Sequence, residues 1–428
     1  MRKILIITVI SILTPFMSFS QFKDALKETF LEAEYYILYE DYNEALALYQ
    51  NLYNNGYDNA YINHRIGECY LQIPGQKEKS IPYLEKACKN VSVTIKEGSI
   101  KETRAPLRTI FYLAIAYQTN GELDKAIETF NKFKDRLAEE NIYNIDYIER
   151  QIESCETAKN LISVPIDVSE ENIGSSVNDQ FPNIRPVISE DESALVYVSK
   201  RKFYDAIFYS TKENGNWLTP INITPDLRSD GDFYSCHISC DGKVLILLKD
   251  EKYNKDIYIS YLKDKKWSIP EKLNKNVNTK FQETFASISK DKKTLYFVSD
   301  RKGGFGGSDI YKVEFDELTQ DWGKAVNLGS TINTAFNEEN PIVCENDNTI
   351  YFSSQGHYNM GGFDIFYSKK TENGWTNPKN LGYPLNTTDD NISFFPIQNG
   401  SQLYMAKFDK NGFGKEDIIK IKILSSNY

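Results

Sequence analysis

Histidine is scarce in this chain: His64, His237 and His357 are the three in 428 residues. None stands at ligand spacing from another, so a histidine-based metal centre is not expected. The six cysteines, Cys69, Cys88, Cys155, Cys236, Cys240 and Cys344, form no CxxC pair and have no histidine partner, which removes the zinc-ribbon class. Export would permit disulfides. The closest pair, Cys236 and Cys240, would lie ~13 Å apart along one strand, too far to bridge without a sharp bend, and buried thiols are expected. No Gly-x-Ser-x-Gly elbow occurs, so a serine hydrolase of that type is excluded. No apolar run after residue 20 is long enough to cross a bilayer. Basic residues are in deficit, 50 against 60 acidic ones for a formal net charge of −10, and such a surface repels phosphate backbones. A nucleic-acid partner is therefore not expected.

What is present begins with a leader. Arg2 and Lys3 precede an apolar stretch from Ile4 to Phe16, and Ser18-Phe19-Ser20 places small residues before Gln21. Residues 1–20 read as a secretory signal peptide, with a retained anchor as the alternative. No cysteine lies near the cleavage point, so a lipid anchor is not expected. Richness in Lys, Asn, Ile and Tyr suits a bacterial protein exported to the periplasm. The mature length suggests two domains.

Residues 21–163 show the helical period. Ala33, Tyr36, Ala45, Tyr49 and Leu52 share a spacing with Ala114, Tyr117, Ala126, Phe130 and Phe133. Gly67, Tyr70, Ser80, Leu84 and Ala87 fit it with one inserted residue near Pro74-Gly75. Small residues at the first and third places let two helices approach, and aromatics fill the groove between them. Three helix pairs with a last amphipathic segment from Tyr143 to Leu161 make a short solenoid. A generic helical bundle is the alternative.

Near Ser163-Val-Pro165 the period turns to alternation, and residues 164–428 repeat about every 50 positions. The recurring pieces are Leu195-Val-Tyr-Val-Ser199, Leu295-Tyr-Phe-Val-Ser299, Ile350-Tyr-Phe-Ser-Ser354 and Leu403-Tyr-Met-Ala406. Asp-Ile-Tyr or a near variant recurs at Asp256, Asp309, Asp364 and Asp417. Trp217, Trp267, Trp322 and Trp375 mark a fourth strand. Asn172-Ile-Gly-Ser-Ser-Val-Asn178 repeats the phrases Asn327–Asn333 and Asn380–Asn386, yet no unit precedes it. The last unit stops before any tryptophan strand. The halves complement each other, so Ile166-Asp-Val168 is expected to complete the last of five blades and close the ring. In the first unit the aspartate slips by one, to Asp205, with Ala206 in its place. The fold class is thus α + β multidomain, a tetratricopeptide-like solenoid followed by an all-β propeller.

These phrases resemble the TolB-type WD40-like (PD40) repeat over about 260 residues. Helix pairs followed by such a propeller resemble the N-terminal half of periplasmic Bacteroidetes proteins of the PorE-type and OmpA-family kind. The resemblance implies a non-enzymatic scaffold or adaptor at the periplasmic face of the outer membrane, binding protein partners, in a type IX secretion or gliding context. The chain ends after the last blade, so peptidoglycan binding is not expected to carry over. The alternative is a glycan-binding or glycan-processing propeller. No catalytic residue, cofactor or metal is expected. Asp409-Lys-Asn-Gly-Phe-Gly414 is similar to half of a calcium loop but lacks the far glutamate. Two binding surfaces are expected. First helices of the pairs would offer Glu34, Ile37, Leu38, His64, Glu68, Leu71, Gln72, Phe111, Ile115 and Gln118 to a peptide or helix. Glycine-rich loops would gather Asp300, Arg301, Phe305, Tyr358, Phe363, Asp409 and Phe413 on one propeller rim.

Overall fold

The structure is a computed structural model that describes residues 19–138, 145–251, 254–343 and 347–425. The expected signal peptide, apart from Phe19 and Ser20, lies outside the described residues, as do Tyr143 and Cys344. Among the described residues, seven α-helices precede a β-propeller of five blades. The helices are α1 (Phe19–Leu38), α2 (Tyr42–Asn54), α3 (Ala60–Gln72), α4 (Ile81–Ala87), α5 (Arg108–Thr119), α6 (Leu123–Ala138) and α7 (Ile145–Ser163). Local chemistry sets several of their ends. Asp41 caps α2 by accepting from the Glu44 N–H (3.4 Å), and Asn59 caps α3 by accepting from the Ile62 N–H (3.1 Å).

Two compact units result, and they do not follow the change from helix to strand. One takes the chain up to Ile73 together with Lys79–Tyr112; the other takes Pro74–Glu78 and Leu113 onward, so the division falls inside α5. In the first unit Phe30, Ala33, Ala45, Tyr49, Leu52 and Ile66 are fully or almost fully buried. Gly67 faces α4 so closely that a Cβ there would stand 2.5 Å from the Leu84 Cγ.

In the second unit the blades repeat one antiparallel pattern. The inner strands are Asn183–Ile188, Phe233–Ile238, Glu283–Ile288, Glu338–Val343 and Phe394–Ile397. Second strands such as Ala194–Lys200 and Thr349–Ser354 are buried along nearly their whole length, because neighbouring blades cover both faces. The tryptophan strand is short: Asn216–Trp217 pairs with the end of the third strand, and Ile221–Asn222 pairs further along it. In the last blade Asp167–Asn172 pairs antiparallel with Glu416–Ser425, Ile419 opposite Asn172 and Ile423 opposite Val168. The first strand of the propeller therefore closes the ring as the outer strand of its last blade. Among the described residues no cysteine is in a disulfide, and no helix is long and apolar enough to cross a membrane.

Candidate functional site

The repeated phrases build one face of the propeller. The Asp309 carboxylate accepts from the N–H groups of Phe305 (2.6 Å) and Gly306 (3.1 Å) and from the Asn327 amide (2.9 Å). Asn327 Oδ1 accepts from the Gly329 N–H and from Asn333 Nδ2, both at 2.8 Å. Asn333 then accepts from the Ile310 N–H (2.8 Å) and donates to its carbonyl (2.9 Å). Asp364, Asn380 and Asn386 repeat this circuit in the fourth blade. Asp417, Asn172 and Asn178 repeat it across the ring closure. In the second blade Lys272 replaces the first asparagine and donates to Asp256 (2.6 Å). The first blade is rebuilt: buried Ala206 holds the aspartate's register, Thr224 Oγ1 accepts from the Ile207 N–H (2.8 Å), and Asp205 accepts from the Tyr234 hydroxyl (3.0 Å). The motif residues are spent on folding the loops.

The loops between second and third strands emerge together on this face, and they carry exposed aromatics. Phe203, 88% exposed, and Tyr204 come from the first blade, Phe305 from the third, Tyr358 from the fourth and Phe413 from the fifth. Phe305, Tyr358 and Phe413 were expected there. Asp300 is exposed and accepts from the Gln282 N–H (2.7 Å); Asp409 is half-buried and accepts from the Asn411 N–H (2.9 Å). One expected rim residue faces elsewhere. The Arg301 guanidinium turns inward to the carbonyls of Asn276 (3.1 Å) and Val277 (2.6 Å) and to Glu283 (3.2 Å), because that buried carboxylate needs a counter-charge. Phe363 is half-buried, its N–H held by Asp390 (2.9 Å). Phe203 and Tyr204 were missed, although Arg201-Lys-Phe-Tyr-Asp205 occupies the same place in the repeat and signals them.

Other parts of the same unit reach this face. Arg150 and Ser154 of α7 bond to the Gln355 carbonyl (3.3 Å) and to Asn359, and Asn160 donates to the Tyr358 hydroxyl (3.4 Å). Lys77 pairs with Asp389 at 2.5 Å. At the centre, all five inner strands line a cavity of about 220 Å³. Register shifts bulge the first four of these strands, and Arg185 and Asn340 sit in two of the bulges with φ of 51° and 50°.

The expected helical surface is partly core. In the first unit Glu34 and Glu68 bracket Arg65 at 2.8 Å each, and the hydroxyls of Tyr49 (2.5 Å) and Tyr61 (3.1 Å) donate to Glu34. His64 is fully buried, its Nδ1 against the Thr109 hydroxyl (3.0 Å), and burial pushes its pKa well down. His64 and Leu71 here, and Gln118 in the second unit, are buried and offer no face to a partner. The spacing marks a helix side but not whether a neighbour covers it. Leu38 (81% exposed) and Gln72 remain exposed; Ile37, Phe111 and, in the second unit, Ile115 are half-buried.

No family model and no curated protein matches this chain. Solved structures similar to it include three propellers. TolB from Acinetobacter baumannii is 18% identical, over 57% of this chain and 55% of that one, with a TM-score of 0.39. The α-L-arabinofuranosidase from Lactobacillus brevis is 14% identical over 58% and 92%, TM-score 0.41. The endo-arabinase from Bacteroides thetaiotaomicron is 14% identical over 60% and 98%, TM-score 0.40. This chain thus spans about half the length of the TolB chain. The likeness is one of fold.

The expectation of a non-enzyme does not stand: glycoside hydrolases are among the structures similar to this propeller, so the fold does not separate an adaptor from an enzyme. Among the described residues no three His, Cys, Asp or Glu side chains group as a metal site would need. Burial pushes the carboxyls of Glu338 and Asp364 up to about 7, into the range of a general acid. Both are engaged in the loops: Glu338 accepts from Thr334 Oγ1 and Ser354 Oγ at 2.7 Å each, and Asp364 from the Met360 N–H (2.9 Å).

Proposed function

We propose that this chain is an exported binding protein that recognises other proteins through the loop face of its propeller. The observation that supports the reading is the set of exposed aromatics, Phe203, Tyr204, Phe305 and Phe413, brought to one face by loops of three different blades. Aromatics of this kind give large contact area with few rotatable bonds, which is why they anchor interfaces. The helix pairs are read as tetratricopeptide-like repeats, and residues 1–20 as a signal peptide that delivers the chain to a bacterial periplasm. The resemblance to PorE-type proteins makes an outer-membrane complex of type IX secretion or gliding the partner to look for first. Residues 21–163 and 164–428 are taken as its two functional segments.

The test is cross-linking in native membranes followed by mass spectrometry. Partners recovered with the unaltered protein and reduced at least tenfold with a Phe203→Ser, Phe305→Ser double variant support the reading. Equal recovery with both proteins refutes it. The same aromatics suit a second reading, because the faces of sugar rings stack on exposed aromatic side chains. Release of reducing ends from oligosaccharides by the intact chain would favour a glycan-processing propeller.

A further inference from the structure

We propose that the central cavity of the propeller is a binding site for a small organic carboxylate, held by Arg185. This goes beyond the partner-binding reading and does not depend on it. Arg185 lies on the inner strand of the first blade, in a bulge that gives it a left-handed backbone. Its main chain is fixed on both sides: the N–H donates to Ser393 Oγ (3.0 Å), and the carbonyl accepts from Ser235 Oγ (2.8 Å). The fifth and second blades therefore hold the first blade's arginine in place. Its guanidinium lies 4.6 Å from the ring centroid of Phe285 and 5.2 Å from that of Tyr234. Those rings stabilise the charge through their π faces but accept no full hydrogen bond.

The guanidinium is short of an acceptor. Its Nη1 is buried and has no hydrogen-bond partner. A buried charged donor left unmade costs more than a neutral one. The nearby Glu339 acts on the arginine through its charge but makes no hydrogen bond to Nη1; its carboxyl oxygens take the hydroxyls of Thr284 (2.8 Å) and Ser308 (3.0 Å). Arg185 lines the cavity of about 220 Å³, as does Asn340. At roughly 30 Å³ per water, that is space for about seven waters or one small organic acid. The walls are largely apolar, with Ile184, Val187, Phe285 and Ile392 among them. Glu416 also lines the cavity, and burial pushes its carboxyl up, toward the neutral form. Arg185 in these largely apolar walls matches a monoanion with a short hydrocarbon body. A phosphate dianion would need further donors. The carboxylate can belong to a free acid or to the end of a peptide chain; both offer the same two planar oxygens.

Titration calorimetry on the mature chain tests this with propionate, propionamide, inorganic phosphate and the tripeptide Ala-Ala-Ala as acid and as amide, at constant ionic strength. The expected result is saturable binding of propionate at one site per chain, absent for propionamide, and weakened at least tenfold in a folded Arg185→Gln variant. Binding of the peptide acid but not its amide, alongside propionate, assigns a chain end as an accepted source; binding of propionate alone assigns a free acid. No saturation by either acid overturns the proposal, as does phosphate binding as tightly, propionamide binding equally, or an unchanged Arg185→Gln variant. If Arg185→Gln does not fold, the acid-against-amide comparison on the unaltered protein decides.

Discussion

Asn333 shows how much one side chain carries in this propeller. It is buried, it satisfies both the N–H and the carbonyl of Ile310, and it donates to Asn327. An Asn333→Ala variant leaves those backbone groups without partners, at ~1–3 kcal/mol each. It is expected to lose about 3 kcal/mol in urea unfolding, where a change of the exposed Lys302 to alanine, Lys302→Ala, should cost well under half of that. Glu338 is a second case. The third blade sets Arg301 beside the equivalent Glu283, whereas the fourth has Gly356 at that place in the repeat. Without that cation, burial pushes Glu338 up to about 7 from an ordinary 4.5. A raised carboxyl holds its proton in the folded state after the unfolded chain has released it. Its stabilisation is full below about 4.5 and is lost as pH rises through about 7. Glu338→Gln removes this dependence. Between pH 4 and 8 wild type should lose on the order of 3 kcal/mol that the variant keeps; parallel stability curves from urea unfolding at the two pH values would refute the assignment. The residue roles were the least legible part of the sequence. Asn178 meets its partner Ile418 across 240 residues, and nothing in a local pattern reports such a distance.

At the scale of elements, local signals and packing agree more closely. The helical region was readable from its period, and the close approach of α3 to α4 has a physical reason at Gly67. A side chain there runs into Leu84. Gly67→Val is expected to destabilise the first unit by about 1–3 kcal/mol through overpacking. Adding Leu84→Ala should recover part of that loss, and a double-mutant cycle of thermal melts would measure the coupling. The glycine loops follow a related logic. At Gly414 a Cβ would stand 2.5 Å from the Asp179 carbonyl oxygen and 2.6 Å from that of Phe181, both backbone atoms. In three of the hairpins between first and second strands the positive φ falls on Glu192, Gly242 and Lys292, each directly after the turn aspartate Asp191, Asp241 or Asp291. Helix faces were read less well, since His64, Leu71 and Gln118 follow the surface spacing and are buried all the same.

For the whole molecule, closure is the decisive feature. Asp167–Asn172 covers the outer edge of the last blade. A chain beginning after Gly174 would leave Glu416–Ser425 with open N–H and C=O groups, an invitation to pair with another copy. Light scattering should then report self-association beyond that of the intact chain; an unchanged mass would mean that the closing strand is dispensable. Blade number and closure were legible because the first phrase and the last unit are complementary halves of one repeat, and a repeat's incompleteness is visible in a linear string. The sequence by itself determined the order of helices and strands, the five blades and the strand that joins the ring's ends, because each depends on periodicity and on matching phrases. The tertiary structure alone decided which repeated residues are consumed in folding the loops, which aromatics stay exposed, and that Arg185 reaches a cavity shared by five blades. Those properties depend on neighbours far away in the chain, and only folding brings them together.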